Sequence, residues 1–366
     1  MSWLFGSAFV AFAVALVLAL LLVRSARLHV GWSGDLDLDG PQKFHDRPVP
    51  RVGGLAVWGG MLAGTLCWVW DQPEHRWCFG VLLVASTPAF LGGLLEDVTK
   101  KVRPAMRMGA VVIAALLAAW WLGAILYRTD IPGIETLVST TLGALAVTVF
   151  VVAGVANAIN IIDGFNGLAS MCAMIMLAGL VVVALQLGDN WIAAAGLLLI
   201  GATLGLFTLN YPMGLIFLGD GGSYFLGFMV AELGILLIGR HPDVSPLFPL
   251  VLCAYPVVET LFTMYRRKVL RGRPVHAPDG VHLHSLIYRR LVRWALGSRN
   301  ARLLVRRNSL TAPYLWVACS LSVVPAIIWW DSSAVLAGVL LAYVAGYIAL
   351  YRRIVRFRTP RWLLRR

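Results

Sequence analysis

The sequence predicts an all-α polytopic membrane protein of about eleven transmembrane helices, with the N-terminus outside and the C-terminus cytoplasmic. Three observations carry that expectation. Hydrophobic residues fill 59% of the 366 positions and charged residues only 13%, with mean hydropathy +0.79, whereas a water-soluble domain of this length needs a far more charged surface. Apolar runs of about 20 residues, enough to cross about 30 Å of hydrocarbon, recur from one end of the chain to the other. The basic residues, finally, gather in alternate loops. Residues 1–366 therefore read as a single integral membrane domain, with no room for a soluble domain of ordinary size.

The first apolar run, Trp3 to Val23, lacks a basic leader and an A-x-A cleavage site, and its length suits a span, so it stays as the first helix. Apolar stretches then place helices at approximately 53–70, 79–95, 108–127, 136–157, 168–187, 191–209, 223–239, 246–265, 314–330 and 333–351. With the 24–52 loop on the cytoplasmic side, so are 96–107, the long loop 266–313 and the basic tail 352–366. These segments hold 28 of the 31 Lys and Arg residues, leaving only Arg76, Arg128 and Arg240 outside. Such asymmetry follows the positive-inside rule and sets the orientation. It also accounts for most of the +13 charge as topology and attraction to lipid headgroups, so nucleic acid is not an expected partner. The five cysteines, Cys67, Cys78, Cys172, Cys253 and Cys319, show no C-x-x-C or Cys/His spacing and read as small buried hydrophobes.

Carboxylates near a membrane are the informative residues, because each is costly without a purpose. Asp71, Glu74, Asp130, Glu135, Asp189, Asp243 and Asp331 fall in short outer loops, where water solvates them. Asp35, Asp37 and Asp39 read as solvated acids of the first inner loop, which also holds Asp46. Glu96, Asp97, Asp163, Asp220 and Asp279 fall at the inner ends of different helices or in inner loops, all on one face. Carboxylates delivered to one face from distant segments suit Mg²⁺, which prefers hard oxygen and binds one or two carboxylates together with substrate phosphates. Glu259 lies near the same face in an apolar run. Glu232 lies in another, with no place assigned.

The surroundings of these acids are unusual. Glu96-Asp97 end an apolar helix and precede Lys100, Lys101, Arg103 and Arg107. In Asn157-Ala-Ile-Asn160-Ile-Ile-Asp163-Gly164-Phe-Asn166-Gly167, three amides and an acid occupy an inner loop with no basic residue; Asn157, Asn160 and Asp163 share one helix face. Asn210-Tyr-Pro-Met-Gly-Leu-Ile-Phe-Leu-Gly219-Asp220-Gly221-Gly222-Ser223 places an acid among glycines before the next apolar run, where backbone N–H groups can cradle anionic oxygen. His276, Asp279, His282 and His284 lie in the long inner loop, with side chains suited to anion contact or proton transfer.

Five segments, HDRPVPRVGG (45–54), LLEDVTKKVR (94–103), NAINIIDGFNGLAS (157–170), NYPMGLIFLGDGGSYFLG (210–227) and PDGVHLHSL (278–286), run in an order and spacing that resemble the polyprenyl-phosphate N-acetylhexosamine-1-phosphate transferases. That family includes the undecaprenyl-phosphate N-acetylglucosamine-1-phosphate transferases and the phospho-MurNAc-pentapeptide translocase. The chain departs from the family pattern at Glu96, where an aspartate is usual, at Asn166, in place of the second aspartate of NxxNxxDGxDG, and at Ser285, in place of the last histidine of H-x-H-H. Its pattern is nearer the N-acetylglucosamine branch.

The resemblance implies transfer of a sugar-1-phosphate from a UDP-N-acetylhexosamine to undecaprenyl phosphate, releasing UMP at the cytoplasmic face of a bacterial inner membrane. It implies Asp220 as the ligand of Mg²⁺, with Mn²⁺ as the alternative cation. Asp97 and Asp163 would orient the nucleophile or accept its proton, and Glu96 would support the metal or Lys100. His282 and His284 would contact the diphosphate, with Arg51 and Lys100 as further anion partners and Asn157, Asn160, Asn166 and Asn210 binding substrate. A homodimer is left open. The competing readings are another UDP-N-acetylhexosamine donor, or a transporter of a lipid-linked anion, which would place polar residues at the membrane midplane in broken helices of an internal repeat.

Overall fold

The computed structural model describes residues 2–34, 49–270, 282–292 and 301–356. Asp35, Asp37, Asp39, Asp46, His276 and Asp279 lie outside the described residues, as do the first four positions of the HDRPVPRVGG segment, the first four of PDGVHLHSL and the tail from 357. Among the described residues the chain is helical, and ten helices are long and apolar enough to cross a membrane.

These begin with α1 (Ser2–Arg24), followed by a short α2 (Ala26–Ser33) that the sequence does not announce, then α3 (Gly53–Asp71), α4 (Arg76–Thr99) and α5 (Pro104–Leu122). Pro104 opens α5 at its first turn, where a missing N–H costs nothing, and Gly123 closes it in the left-handed conformation. A single turn, α6 (Ile134–Val138), precedes α7 (Thr141–Ile162), whose first turn is capped by the Thr140 hydroxyl accepting from Gly143 N at 3.1 Å. Then come α8 (Leu168–Gln186), α9 (Asn190–Asn210) and α10 (Gly219–Arg240).

The helix expected over 246–265 is two pieces, α11 (Leu247–Leu252) and α12 (Ala254–Tyr265), parted at Cys253. Pro256 explains the break: it has no N–H for the Leu252 carbonyl, and its ring crowds that oxygen. The pair still links the two ends of the bundle. Ser245 N donates to Trp330 O at 3.0 Å at one end, while Glu259 meets His282 at the other. A turn α13 (Leu283–Ile287) precedes the last two long helices, α14 (Ala301–Ile328) and α15 (Ser333–Val355).

Helix α10 is the axis of the bundle, buried at every residue from Gly219 to Ile238 and packed against α3, α4, α7 and α8. Association without a hydrophobic gradient relies on small residues that let backbones approach. Helices α1 and α9 meet that way: a Cβ on Gly201 would sit 2.3 Å from Ala8 O, and one on Gly205 2.5 Å from Phe12 O. On the periphery, large apolar side chains such as Phe5, Leu142, Phe150 and Leu341 are exposed, as expected where lipid replaces water. Exposed Trp70, Trp77, Trp120 and Trp329 stand at the ends of helices on one side of the bundle, the position of an interfacial aromatic belt. On that side Arg128 donates to the carbonyls of Ile238, Pro242 and Val244, closing the C-terminus of α10. Arg240 pairs with Asp189 at 2.6 Å.

Candidate active site

At the opposite side, five helix ends converge. The last turn of α4 carries Asp97, the end of α7 carries Asn157 and Asn160 and leads into Asp163, and the first turn of α10 carries Asp220. The first turn of α5 adds Arg107, and the strand-like residues before α3 add Arg51. That last placement is built from backbone hydrogen bonds: Phe217 N donates to Pro50 O at 2.9 Å, Gly53 N to Phe217 O at 2.9 Å and Gly54 N to Leu218 O at 2.8 Å. The 50–54 segment is thereby sewn to the turn that opens α10, and Arg51 is set beside Asp220.

Asp97 is almost fully buried, and both its oxygens are occupied. Oδ1 accepts from Asp220 N at 3.0 Å and Oδ2 from Gly221 N at 2.8 Å, so the carboxylate caps the N-terminus of α10, where the helix dipole favours negative charge. Arg51 Nε lies 3.8 Å from Oδ1. Gly219 turns the chain into this geometry with φ +76°, and a Cβ there would meet Arg51 O at 1.9 Å. Gly93 on α4 admits the same approach, since its Cβ would fall 2.4 Å from Asp220 C and O.

Asp220 is enclosed by cations and an amide. Arg51 donates to Oδ1 at 3.3 Å, Asn160 Nδ2 donates to the same oxygen at 3.0 Å, and Arg107 is paired with Oδ2. Asn160 also donates to Ser223 Oγ at 2.9 Å. The Arg107 guanidinium lies over the Tyr224 ring, 5.8 Å from its centroid, and its buried Nε has no partner among the described residues. Asp163 is half-buried next to the Gly219 N–H. Burial pushes its carboxyl up to about 7, against the Arg51 charge and that N–H, which hold it down. The cluster thus offers anion-binding guanidiniums, one carboxylate poised near neutrality and one held among donors.

The remaining expected residues are placed less directly. Glu96 Oε2 accepts from Val102 N at 2.8 Å, closing the turn after α4, and Lys100, left-handed at φ +55°, sends Nζ to Asp97 O at 2.6 Å. The Asn157 side chain, half-buried one turn before Asn160, makes no hydrogen bond among the described residues. Asn210 is buried and fully used, accepting from Gly167 N at 2.6 Å and donating to Ile216 O at 2.7 Å. Asn166 is buried between turns and α14: its N–H donates to Asn308 Oδ1 at 2.8 Å, and its amide donates to Ser309 Oγ at 3.2 Å and to Pro212 O at 3.4 Å. Both amides therefore hold the 163–167 and 210–216 turns together. His284 lies against Gly164, whose Cβ would be 3.4 Å from Nε2, and stacks with His282 at 5.0 Å between centroids.

Arg107, Ser223, Asn308 and Ser309 were not singled out from the sequence. Arg107 had a signal, as one of the cations following Glu96-Asp97; Asn308 and Ser309 had none, since only the fold brings α14 to the Asn166 turn. Among the described residues no group of three or more His, Cys, Asp or Glu side chains is arranged to hold a metal ion unaided. Asp220 with Asp163 close by suits a hard cation that arrives with phosphate oxygens rather than one kept in an all-protein cage, and the unpartnered Arg107 Nε–H is free to meet those oxygens. A polar cavity of about 470 Å³ between Trp68, Asp189, Trp191 and Arg240 lies at the other end of the bundle and holds none of these residues.

A family model described as glycosyl transferase family 4 matches residues 79–238, spanning α4 to α10. A probable undecaprenyl-phosphate N-acetylglucosaminyl 1-phosphate transferase of Bacillus subtilis is 29% identical over 81% of this chain and 80% of its own length. A phospho-N-acetylmuramoyl-pentapeptide-transferase of Ruegeria pomeroyi is 31% identical over 73% of this chain and 83% of its own. A decaprenyl-phosphate N-acetylglucosaminephosphotransferase of Mycolicibacterium smegmatis is 27% identical over 84% and 80%.

Proposed function

The chain belongs to glycosyl transferase family 4, and on that premise we propose that it transfers N-acetylglucosamine-1-phosphate from UDP-N-acetylglucosamine to undecaprenyl phosphate. The observation that carries this reading is the convergence of Asp97, Asp163 and Asp220 with Arg51 and Arg107 at one end of a membrane bundle. Two anionic reactants must meet there, one of them tethered to the bilayer, and a site at the helix ends serves both.

In the reaction a lipid-phosphate oxygen attacks the β-phosphorus, a new P–O bond forms, and the bond to the bridging oxygen breaks. UMP leaves with that oxygen. Arg51 and Arg107 hold the anionic oxygens, Arg107 through its unpartnered Nε, and so reduce the repulsion between the reactants. A phosphate monoester has its second pKa near 6, so the acceptor is largely dianionic. Asp163, near 7, takes the proton that remains and orients the attacking oxygen. Asp97 holds Asp220 and the first turn of α10 in register. Asp220, with Asp163 beside it, would hold Mg²⁺, which when bound neutralises charge on the diphosphate. The positive-inside asymmetry of the sequence supports a cytoplasmic site in the plasma membrane of a bacterium, where the soluble donor arrives.

The test is UMP release from a panel of UDP-sugars with undecaprenyl phosphate and Mg²⁺, beside an Asp220→Ala control. Release specific to UDP-N-acetylglucosamine, lost with EDTA and in the variant, is the expected result. Release from a different donor would correct the sugar, and no release from any donor would overturn the transferase reading.

A further inference from the structure

We propose that Glu259 and Tyr347 are positioning residues for His282, which makes the C-terminal helix α15 a working part of the site; this rests on the transferase reading above. Glu259 is fully buried on α12, where a carboxylate is tolerated only if donors surround it. Three do. Oε1 accepts from His282 Nδ1 at 3.0 Å and from Leu283 N at 3.1 Å, and Oε2 accepts from Tyr347 OH at 2.7 Å. Tyr347 belongs to α15, outside both the matched span 79–238 and the sequence segments that singled out the site.

The consequence for His282 is a fixed tautomer. A carboxylate facing Nδ1 keeps the proton on that nitrogen and leaves the lone pair on Nε2, which has no partner among the described residues. The Thr263 hydroxyl, one turn beyond Glu259 and 3.3 Å from Nδ1, closes the same side of the ring. The His282 ring stacks on His284 with only 13° between planes, and His284 in turn meets Phe165 edge-on at 5.3 Å between centroids. Orientation set by Glu259 thus reaches the turn that carries Asp163.

Helix α15 secures this arrangement at a second point. Arg290 donates to Ile354 O at 2.6 Å, a cation on the last carbonyls of a helix, where it is favoured. Phe262, one turn from Glu259, packs edge-on against Tyr347 at 5.5 Å and Tyr351 at 4.7 Å. The 282–292 segment is therefore tied to α15 directly through Arg290 and, by way of Glu259, through His282.

The experiment uses full-length protein in lipid nanodiscs with ¹⁵N-labelled histidine, the His282 signals being assigned by their loss in His282→Gln. Ring ¹⁵N shifts report the tautomer, and UMP release reports the chemistry. The wild type should show protonated Nδ1 and an unprotonated Nε2. Glu259→Gln should convert this to a mixture and lower kcat/KM by about tenfold or more, and Tyr347→Phe should act in the same direction by about fivefold, the scale of one hydrogen bond. A His282 that keeps its tautomer in Glu259→Gln would overturn the assignment, as would a tautomer shift that leaves kcat/KM within twofold. Absence of UMP release from the wild type would sink the transferase reading itself; the ring shifts would still decide whether Glu259 orients His282.

Discussion

Replacing Asp97 by asparagine separates an anchor from a chemical group. In the native site both carboxylate oxygens accept from the backbone of α10, at 3.0 Å from Asp220 N and 2.8 Å from Gly221 N. An asparagine supplies one acceptor and turns an NH₂ toward the other donor, so one buried N–H is left unpaired and faces another donor. Losing a charge-assisted bond costs about 1.5–3 kcal/mol and stranding the donor about 1–3 kcal/mol, together about 2.5–6 kcal/mol. Part of this falls on the packing of α10 and part on the placement of Asp220. If it fell wholly on the latter, the rate would drop roughly 10²- to 10⁴-fold. The assay pairs UMP release with thermal unfolding in nanodiscs, and runs Asp163→Asn beside Asp97→Asn. Asp97→Asn should lose activity and unfold at a lower temperature by several degrees, while Asp163→Asn, whose half-buried carboxyl meets only the Gly219 N–H of α10 and whose amide oxygen can still accept from it, should lose activity with a distinctly smaller shift. An Asp97→Asn protein that melts like the wild type yet is inactive would refute the anchoring argument and make Asp97 a participant in the chemistry.

Three further outcomes follow from the same structure. The rate of the wild type should rise as pH increases through about 7, because Asp163 is raised to that value and works deprotonated; in Asp163→Asn the residual rate should lose this limb. Arg107→Met should raise the KM for the UDP-sugar by about tenfold or more, the weight of a charge-assisted contact to phosphate, measured from initial rates of UMP release. At the far end, Asp189 is held below the usual carboxylate range: burial raises it, but hydrogen bonds from Arg240 and His241 and from Ile192 N more than offset this. Its contribution is then complete above the ordinary carboxylate pKa of about 4 and fades only as the pH falls through the lowered value. Asp189→Ala should therefore cost about 1–3 kcal/mol at neutral pH, discounted by the half-exposure of Arg240, and leave kcat unchanged.

The helical framework was legible because lipid imposes length and composition on every span, and α8 and α9 fall within a residue or two of their expected ends. Three departures have physical causes. Gly219-Asp220-Gly221-Gly222 reads as a turn by local preference but forms the first turn of α10, since only residues without side chains let α3 and α4 come so close. The fifth helix, expected to end at residue 157, runs on to Ile162 in α7, because Asn160 finds acceptors on α10. The break at Cys253 was visible in Pro256 yet lost in an unbroken apolar run. Within the site, Asp97, Asp163, Asp220 and Arg51 stood out because charge at a helix end is conspicuous. The anchoring work of Asn166 and Asn210 did not, since a hydrogen bond between distant turns leaves no local trace, and neither did the link from Glu259 to Tyr347. Glu232 is the residue neither sequence nor fold accounts for: it is wholly buried on α10, and neither oxygen has a partner among the described residues.

The enclosure of α10 bears on how the protein is made. Its main neighbours, α3, α4, α7 and α8, all precede it in the chain, so the ribosome delivers the surrounding wall before the central post. A helix that carries Glu232 in mid-span as well as Asp220 and Ser223 in its first turns is a poor candidate for release into lipid alone, where a central acid costs a few kcal/mol. Chain order spares it that exposure. Asp220 thus enters a slot already shaped by Gly54 and Gly93.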